Sequence, residues 1–436
     1  MGISCTEAVD VTFGSYVTLK VDTVVEFARR TFRDWQPLSG DAGAIDSPDM
    51  LVSAVEVGDG NLNLVFRLLD RNGRSCVVVK QALPYVRCVG ASWPLTVDRA
   101  RIEAQTLQVH RRCCPEGTVS LLYYDSRLAV LVLEDMSHCV TWRHALVGGV
   151  CSMHVAAGVG IYLAKVLFFT SDLFLSPEEK RREMQRFVNV EMCRITEDLF
   201  FTDPFIVHER NDYEAGLEDY VQSHLRDDVE LRQRVAVLKR SFMTRAEALL
   251  HGDIHTGSVF VSATQTKVFD AEFGFYGPMG FDLGTVVGNL LLNHVALPEL
   301  LQQRRDQQDQ RAQEGTDFLL STSSPTAVLE SIGVFWRAFA TCFQNLAEEY
   351  TKDATFAVTG YARRYIEEEV WRDTLGFAGL EMIRRTVGLA HAADLDAVRD
   401  TAARLRAKRA ALHVGRRLVV QATSVTDVDE LLRFVV

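Results

Sequence analysis

His251-Gly252-Asp253-Ile254-His255-Thr256-Gly257-Ser258 is the stretch on which the reading of this chain turns. It follows what reads as a helical run ending at Ala246–Leu250 and precedes the β-branched run Val259–Val261. Moving a phosphoryl group from a nucleotide to a hydroxyl needs a carboxylate within hydrogen-bond reach of the attacking oxygen, and an acid nearby to hold a metal. Asp253 can be the first. Asp270, beyond a small hairpin of Val259–Val261 and Lys267–Phe269, can be the second, and Glu272 can add an oxygen to the same ion. Two acids beside a polyphosphate suit Mg²⁺, a hard cation that prefers carboxylate, water and phosphate oxygens. Each acid alone reads as a turn cap. Together, in this order, they read as a phosphotransfer site.

Upstream, Val21, Val24, Val25 and Ala28 form a helical stripe within Val21–Phe32. Three β-rich runs follow, Leu51–Val57, Leu62–Leu69 and Ser75–Val79, parted by the turn signals Gly58-Asp59-Gly60-Asn61 and Asp70-Arg71-Asn72-Gly73. Gly58 and Gly60, with Asn61 and Asn63, can bring backbone N–H groups onto phosphates. Asn63 stands where a kinase-type loop has its third glycine, and a plain hairpin turn explains the same residues equally well. The meander ends in Lys80, which can pair with a nucleotide's α- and β-phosphates if a helix glutamate, Glu103, holds it. Standing alone it would be a surface lysine at a strand end. A loop containing Trp93-Pro94 leads to a helix from about Thr96, with Thr96 as cap and Asp98 at the positive end. Strands fit Val119–Tyr124 and Leu128–Leu133, and after Glu134 the pattern turns to long helices. The outline is a sheet lobe over 1–134, a hinge near 134–138 and a larger helical lobe over 135–436, with the ligand expected in a cleft between them.

Downstream, Ser176-Pro-Glu-Glu opens a helix with a capping hydroxyl, an early proline and early acids. Ala145–Leu163 is almost continuously small or apolar, but His154, its glycines and the following Lys165 favour a buried helix over a membrane span. Asp282, in Gly280-Phe281-Asp282-Leu283-Gly284, reads either as a helix N-cap or as a buried brace accepting hydrogen bonds from the loop at His251. Arg384-Arg385 precede apolar residues and point about 100° apart, so at most one is fully solvated. A surface basic pair is the alternative. Gln302–Thr326 reads as a solvated helix end and mobile loop.

Composition narrows the function class. The 436 residues are 47% hydrophobic and 24% charged, with a net charge of -11, which opposes a nucleic-acid partner. Nine cysteines without a Cys-x-x-Cys pair imply reduced thiols and a cytoplasmic setting rather than disulfides or zinc. The N-terminus lacks the pattern of a secretory signal, and Gly2 with Thr6 fits an N-myristoylation pattern only loosely.

Longer blocks connect these motifs: Gly58–Phe66, Ser92-Trp-Pro-Leu95, Asp98-Arg-Ala-Arg-Ile-Glu103, Leu167–Asp172, Ile195–Asp198, Phe201–Pro204, the loop 251–258, Phe273–Asp282 and Met382-Ile-Arg-Arg385. Through them the sequence resembles the 5-methylthioribose kinase family, in the aminoglycoside-phosphotransferase and choline-kinase-like branch, over nearly its whole length. The resemblance implies an α+β, protein-kinase-like two-lobe fold with a small antiparallel sheet. It implies ATP-dependent phosphorylation of a sugar, 5-methylthioribose, at its anomeric hydroxyl, in methionine salvage, by a homodimer. It further implies that Asp253 acts as base or orienter, that Asp270 and Glu272 hold Mg²⁺, and that Ser258 stands where related kinases place an asparagine ligand. Glu134 and Met136 would meet adenine through their backbones. Trp93 would lie on a closing loop, and Arg384 and Arg385 would reach the substrate or the transferring group. A kinase for choline or an aminoglycoside, and a pseudokinase that only binds partners, are the competing expectations.

Overall fold

The computed structural model describes residues 16–33, 50–58, 62–87, 89–311 and 324–435. Gly60 and Asn61, the Gly2/Thr6 pattern and residues 312–323 of the stretch Gln302–Thr326 lie outside what is described there. The chain divides into two compact units, Met1–Cys139 with Phe269–Gly274, and Val140–Val268 with Phe275–Val436.

The first unit is organised by alternation. Helix α1 (Val21–Arg33) is followed by β1 (Ser53–Glu56), β2 (Asn63–Leu69), β3 (Ser75–Ala82), β4 (Tyr85–Val86) and β5 (Gly90–Pro94). Helix α2 (Arg99–Cys113), β6 (Leu121–Asp125) and β7 (Val130–Glu134) complete it. Five of these strands pair antiparallel in the order β1-β2-β3-β7-β6. Val24, Phe27 and Ala28 of α1 share one buried core with Phe66, Leu68, Val77, Val79, Val130 and Val132, the inward residues of alternating strands. β3 is central and mostly buried on both faces, and it runs to Ala82, which pairs with Asn63. Lys80 therefore sits inside the strand rather than at its end. Trp93 and Pro94 belong to β5, paired with β4, rather than to an open loop. Helix α2 starts three residues later than expected: Thr96 Oγ1 accepts from the Asp98 N–H at 3.1 Å, while the Asp98 carboxylate turns to Arg101 instead of capping.

The second unit contains β8 (Val140–Thr141), α3 (Trp142–Val147), α4 (Met153–Phe169), α5 (Pro177–Arg186), α6 (Val190–Phe201), α7 (Glu218–Val221) and α8 (Val229–Thr244). Ser176 caps α5 in a full capping box with Glu179. The apolar run 145–163 is broken where Gly149 takes φ +78°, and α4 begins only at Met153. Among the described residues no helix is long and apolar enough to cross a membrane. The run Ala246–Leu250 is not helical: α8 ends at Thr244, and Ala248–Leu250 forms β9. β10 (Val259–Val261) and β11 (Thr266–Val268) form the expected hairpin, joined by β8, while β12 (Phe275–Gly277) pairs with β9.

Helices α9 (Met279–Arg311), α10 (Pro325–Tyr350), α11 (Tyr361–Arg364), α12 (Trp371–Val387), α13 (Ala393–Asp396), α14 (Thr401–Gln421) and α15 (Val428–Phe434) follow. α9 and α12 approach closely because Gly280, Gly284 and Gly288 recur along one face. A Cβ on Gly284 would stand 2.6 Å from the Thr374 carbonyl oxygen, and one on Gly288 2.7 Å from that of Ala378. On its other side α12 meets α14 glycine to glycine: a Cβ on Gly379 would lie 2.4 Å from the Gly415 oxygen. These contacts fix where the C-terminal half of α12 sits, and with it Glu381, Arg384 and Arg385. The α+β, protein-kinase-like fold class is as expected.

Candidate active site

In the first unit the chemistry gathers around Lys80. Its Nζ pairs with Glu103 of α2 at 2.7 Å and with the Asp270 carboxylate. Burial works against the ammonium, but Asp270, Glu103 and Glu272 outweigh it and hold the Lys80 pKa above its ordinary value. Burial in turn pushes the Glu103 carboxyl up, with Lys80 opposing. The cation is thus firmly charged. Asp270 has φ +70°, a left-handed backbone that a non-glycine residue adopts at a cost on the order of 1 kcal/mol. Its side chain is 38% exposed.

Glu272, expected beside Asp270 at the metal, has both oxygens engaged. Each accepts from Asn63 Nδ2 at 3.0 Å, and Oε2 also accepts from Arg99 Nε at 3.1 Å. Arg99 is completely buried and also donates to the carbonyls of Leu83 and Thr96 and to Asn63 Oδ1. Asn63, which takes the place of a third loop glycine, therefore fastens β2 to the segment carrying Asp270. Gly58 has open space around it. The Glu134 N–H donates to the Ser120 carbonyl, and the Met136 carbonyl accepts from the Cys139 N–H. Trp93 is half-buried in β5.

In the second unit the loop 251–258 is held from beneath by Asp282. Its two carboxylate oxygens accept from the His251 N–H at 2.7 Å and the Gly252 N–H at 3.0 Å. Of the two readings of Asp282, the buried brace is the one present. Burial raises its pKa to about 6 against the pull of His251 and those two N–H donors. Gly252, between His251 and Asp253, takes φ +83°, a left-handed conformation that glycine adopts without steric cost.

Asp253 receives both arginines of α12. Its Oδ1 accepts from Arg384 Nη2 at 2.9 Å and Arg385 Nη2 at 3.4 Å. Burial alone would raise the Asp253 pKa, but the positive charges of His255, Arg384 and Arg385 pull it well below the usual carboxylate range. His255 is itself driven well below its ordinary value by burial and Arg143. At neutral pH the arginines therefore carry that effect. Glu381, one turn earlier on α12 and fully buried, pairs with both: Arg385 Nε donates to its Oε1 at 2.9 Å, and Arg384 Nε donates to its Oε2. The Arg384 guanidinium also lies over the Phe200 ring at 4.9 Å. The surface-pair alternative for Arg384 and Arg385 does not hold. Ser258 is buried and spends its hydroxyl within the loop, donating to the Asp253 carbonyl at 3.3 Å, with His255 Nδ1 at 3.1 Å.

Sequence reasoning passed over Glu381, Arg99 and Arg143. The only local signal was the spacing of Glu381 from Arg384 and Arg385, three and four residues, which stacks them on one helical face. Among the described residues no group of three or more His, Cys, Asp or Glu side chains is gathered for a metal. Mg²⁺ does not require one, since it usually takes one or two carboxylates and completes its shell with water and phosphate oxygens. The part-exposed Asp270 carboxylate fits that role. All described cysteines carry free thiols.

Residues 180–319 match the model of the phosphotransferase enzyme family. The methylthioribose kinase of Pectobacterium carotovorum subsp. carotovorum is 49% identical over 96% of this chain and 97% of its own length. That of Klebsiella pneumoniae subsp. pneumoniae is 52% identical over 89% and 93%. Among solved structures, choline kinase from Cryptosporidium parvum aligns over 95% of this chain and 99% of its own, with 10% identity and a TM-score of 0.47. With half of its residues shared with such relatives over almost the whole length, this chain belongs to the methylthioribose kinase family.

Proposed function

We propose that this chain transfers the γ-phosphoryl group of ATP to the anomeric 1-hydroxyl of 5-methylthioribose, giving the 1-phosphate, a step of methionine salvage. The observation that carries the reading is Asp253 held by Arg384 and Arg385 on a braced glycine loop. A carboxylate held this far below its ordinary pKa is a weak base in the ground state, so its first task is to orient the acceptor O–H. A hemiacetal hydroxyl is more acidic than an ordinary alcohol, which suits a weak base. As the acceptor oxygen bonds to phosphorus, the bridge to ADP breaks and the hydroxyl proton passes toward Asp253. Arg384 and Arg385 are assigned to the negative charge on the transferring oxygens, a reading supported by Glu381, which pairs with both guanidinium groups.

Lys80, steadied by Glu103, is assigned to the ATP phosphates, with the turn containing Gly58, Gly60, Asn61 and Asn63. Asp270 is assigned to Mg²⁺, and Glu272 supports the segment that carries it. When bound, Mg²⁺ neutralises charge on the β- and γ-phosphate oxygens. The adenine roles of Glu134 and Met136, the closing role of Trp93, the ligand role of Ser258 and the homodimer rest on the family resemblance. The cytoplasmic setting rests on the cysteine pattern of the sequence, nine cysteines with no Cys-x-x-Cys pair.

Turnover with ATP on methylthioribose, ribose, choline and an aminoglycoside, with the product identified by phosphorus NMR, tests the reading. Activity on methylthioribose alone, with phosphate on the anomeric carbon, is expected. Comparable rates on choline would overturn it, and binding of ATP without any turnover would favour a pseudokinase.

A further inference from the structure

We infer that Arg143, on the first turn of α3, is a further sugar-binding residue, donating from Nη1 to a hydroxyl of the acceptor other than the one phosphorylated. The inference rests on the phosphotransfer reading above. Arg143 is fixed on three sides. Its Nη2 donates to Asn289 Oδ1 at 2.9 Å, its Nε donates to Thr256 Oγ1 at 3.3 Å, and its Nε lies 3.7 Å from Asp394 Oδ2. Asn289 and Asp394 are completely buried, whereas the Arg143 side chain is 17% exposed. Nη1 has no hydrogen-bond partner among the described residues. It lies against the catalytic loop, 3.0 Å from where a Cβ on Gly257 would be, with the His255 ring at 2.9 Å from the same point. Gly257 thus leaves room for this guanidinium against the loop, near His255.

The mooring of Arg143 is shared with the reacting group. Asn289 accepts from Arg143 and donates from Nδ2 to Glu381 Oε1 at 2.8 Å, the oxygen that also receives Arg385. One buried amide therefore ties Arg143 to the pair that holds Asp253. A guanidinium that must overcome burial and the nearby Arg385 charge is a costly way to fill space. A rigid donor aimed beside the loop is what discrimination of a polyhydroxy acceptor from a deoxy one requires. A cationic acceptor would be repelled by the same charge.

The test is steady-state kinetics of the full chain and of Arg143→Gln and Arg143→Lys, with methylthioribose and its 2-deoxy and 3-deoxy analogues. For Arg143→Gln the KM for the sugar should rise about 10-fold or more while the KM for ATP changes by less than about 2-fold. The deoxy analogue that lacks the paired hydroxyl should be poor for the wild type, yet no worse than methylthioribose for the variant. Should the glutamine variant fail to fold, Arg143→Lys, which keeps a charge facing Asp394, carries the same expectation. A folded variant with unchanged sugar KM, or an equal penalty from every deoxy analogue in both proteins, overturns the inference while leaving the phosphotransfer reading intact. A wild type inactive on methylthioribose overturns both.

Discussion

Asp253 illustrates how much a single side chain's setting decides. Two guanidinium groups on one carboxylate oxygen keep it ionised well below its ordinary pKa of ~4. For such a depressed group, the stabilisation is fully present above the unfolded value and is lost as pH falls through the folded one. Removing one cation leaves burial less opposed, so Arg384→Gln should raise the Asp253 pKa. Its kcat/KM profile should then acquire an acid limb at higher pH than the wild type's. Superimposable profiles would mean the arginines do not set this charge. Arg385→Ala should lower kcat far more than it raises the KM for ATP; an unchanged kcat would remove it from the transition state. Asp253, Asp270 and Lys80 were legible as candidates because their residue types, in that order, suit phosphoryl transfer. Arg99 and Asn289 were not, since their partners Glu272 and Glu381 lie 173 and 92 positions away.

At the scale of elements, turn chemistry and alternation were enough to find β1 to β3 and α1, and the Ser176 cap was read correctly. Ala248–Leu250 was misread because a short apolar run fits helix or strand equally, and its pairing with β12 decides for strand. The start of α2 was misplaced because Thr96 closes a turn before the helix instead of capping it. Nothing local marks the glycine face of α9 as an interface. In an exposed helix Gly→Ala would gain roughly 0.5–1 kcal/mol. At Gly284 the added carbon meets the Thr374 carbonyl, so Gly284→Ala should instead destabilise by about 1–3 kcal/mol in urea unfolding. It should also lower kcat by shifting Glu381 and its arginines. A stabilised variant would contradict the close packing of α9 on α12.

For the molecule as a whole, the family and the fold class could be read from the sequence because its motifs span nearly the full length. The return of 269–274 to the first unit could not, since it depends on long-range pairing of Asp270 and Glu272 with Lys80 and Arg99. The net charge of -11 makes the basic groups around Asp253 a local exception rather than a general attraction for anions. Chelation of divalent metal should abolish turnover, and Mg²⁺ should restore it. Asp270→Asn should raise the Mg²⁺ concentration for half-maximal rate by about 10-fold or more. An unchanged requirement would move the metal elsewhere. The most direct test of the central claim is Asp253→Asn, assayed for kcat on methylthioribose and, by calorimetry, for ATP binding. The account predicts a loss in kcat of about 10²–10⁴-fold with ATP affinity retained within about 3-fold; a variant that keeps the wild-type kcat would contradict it.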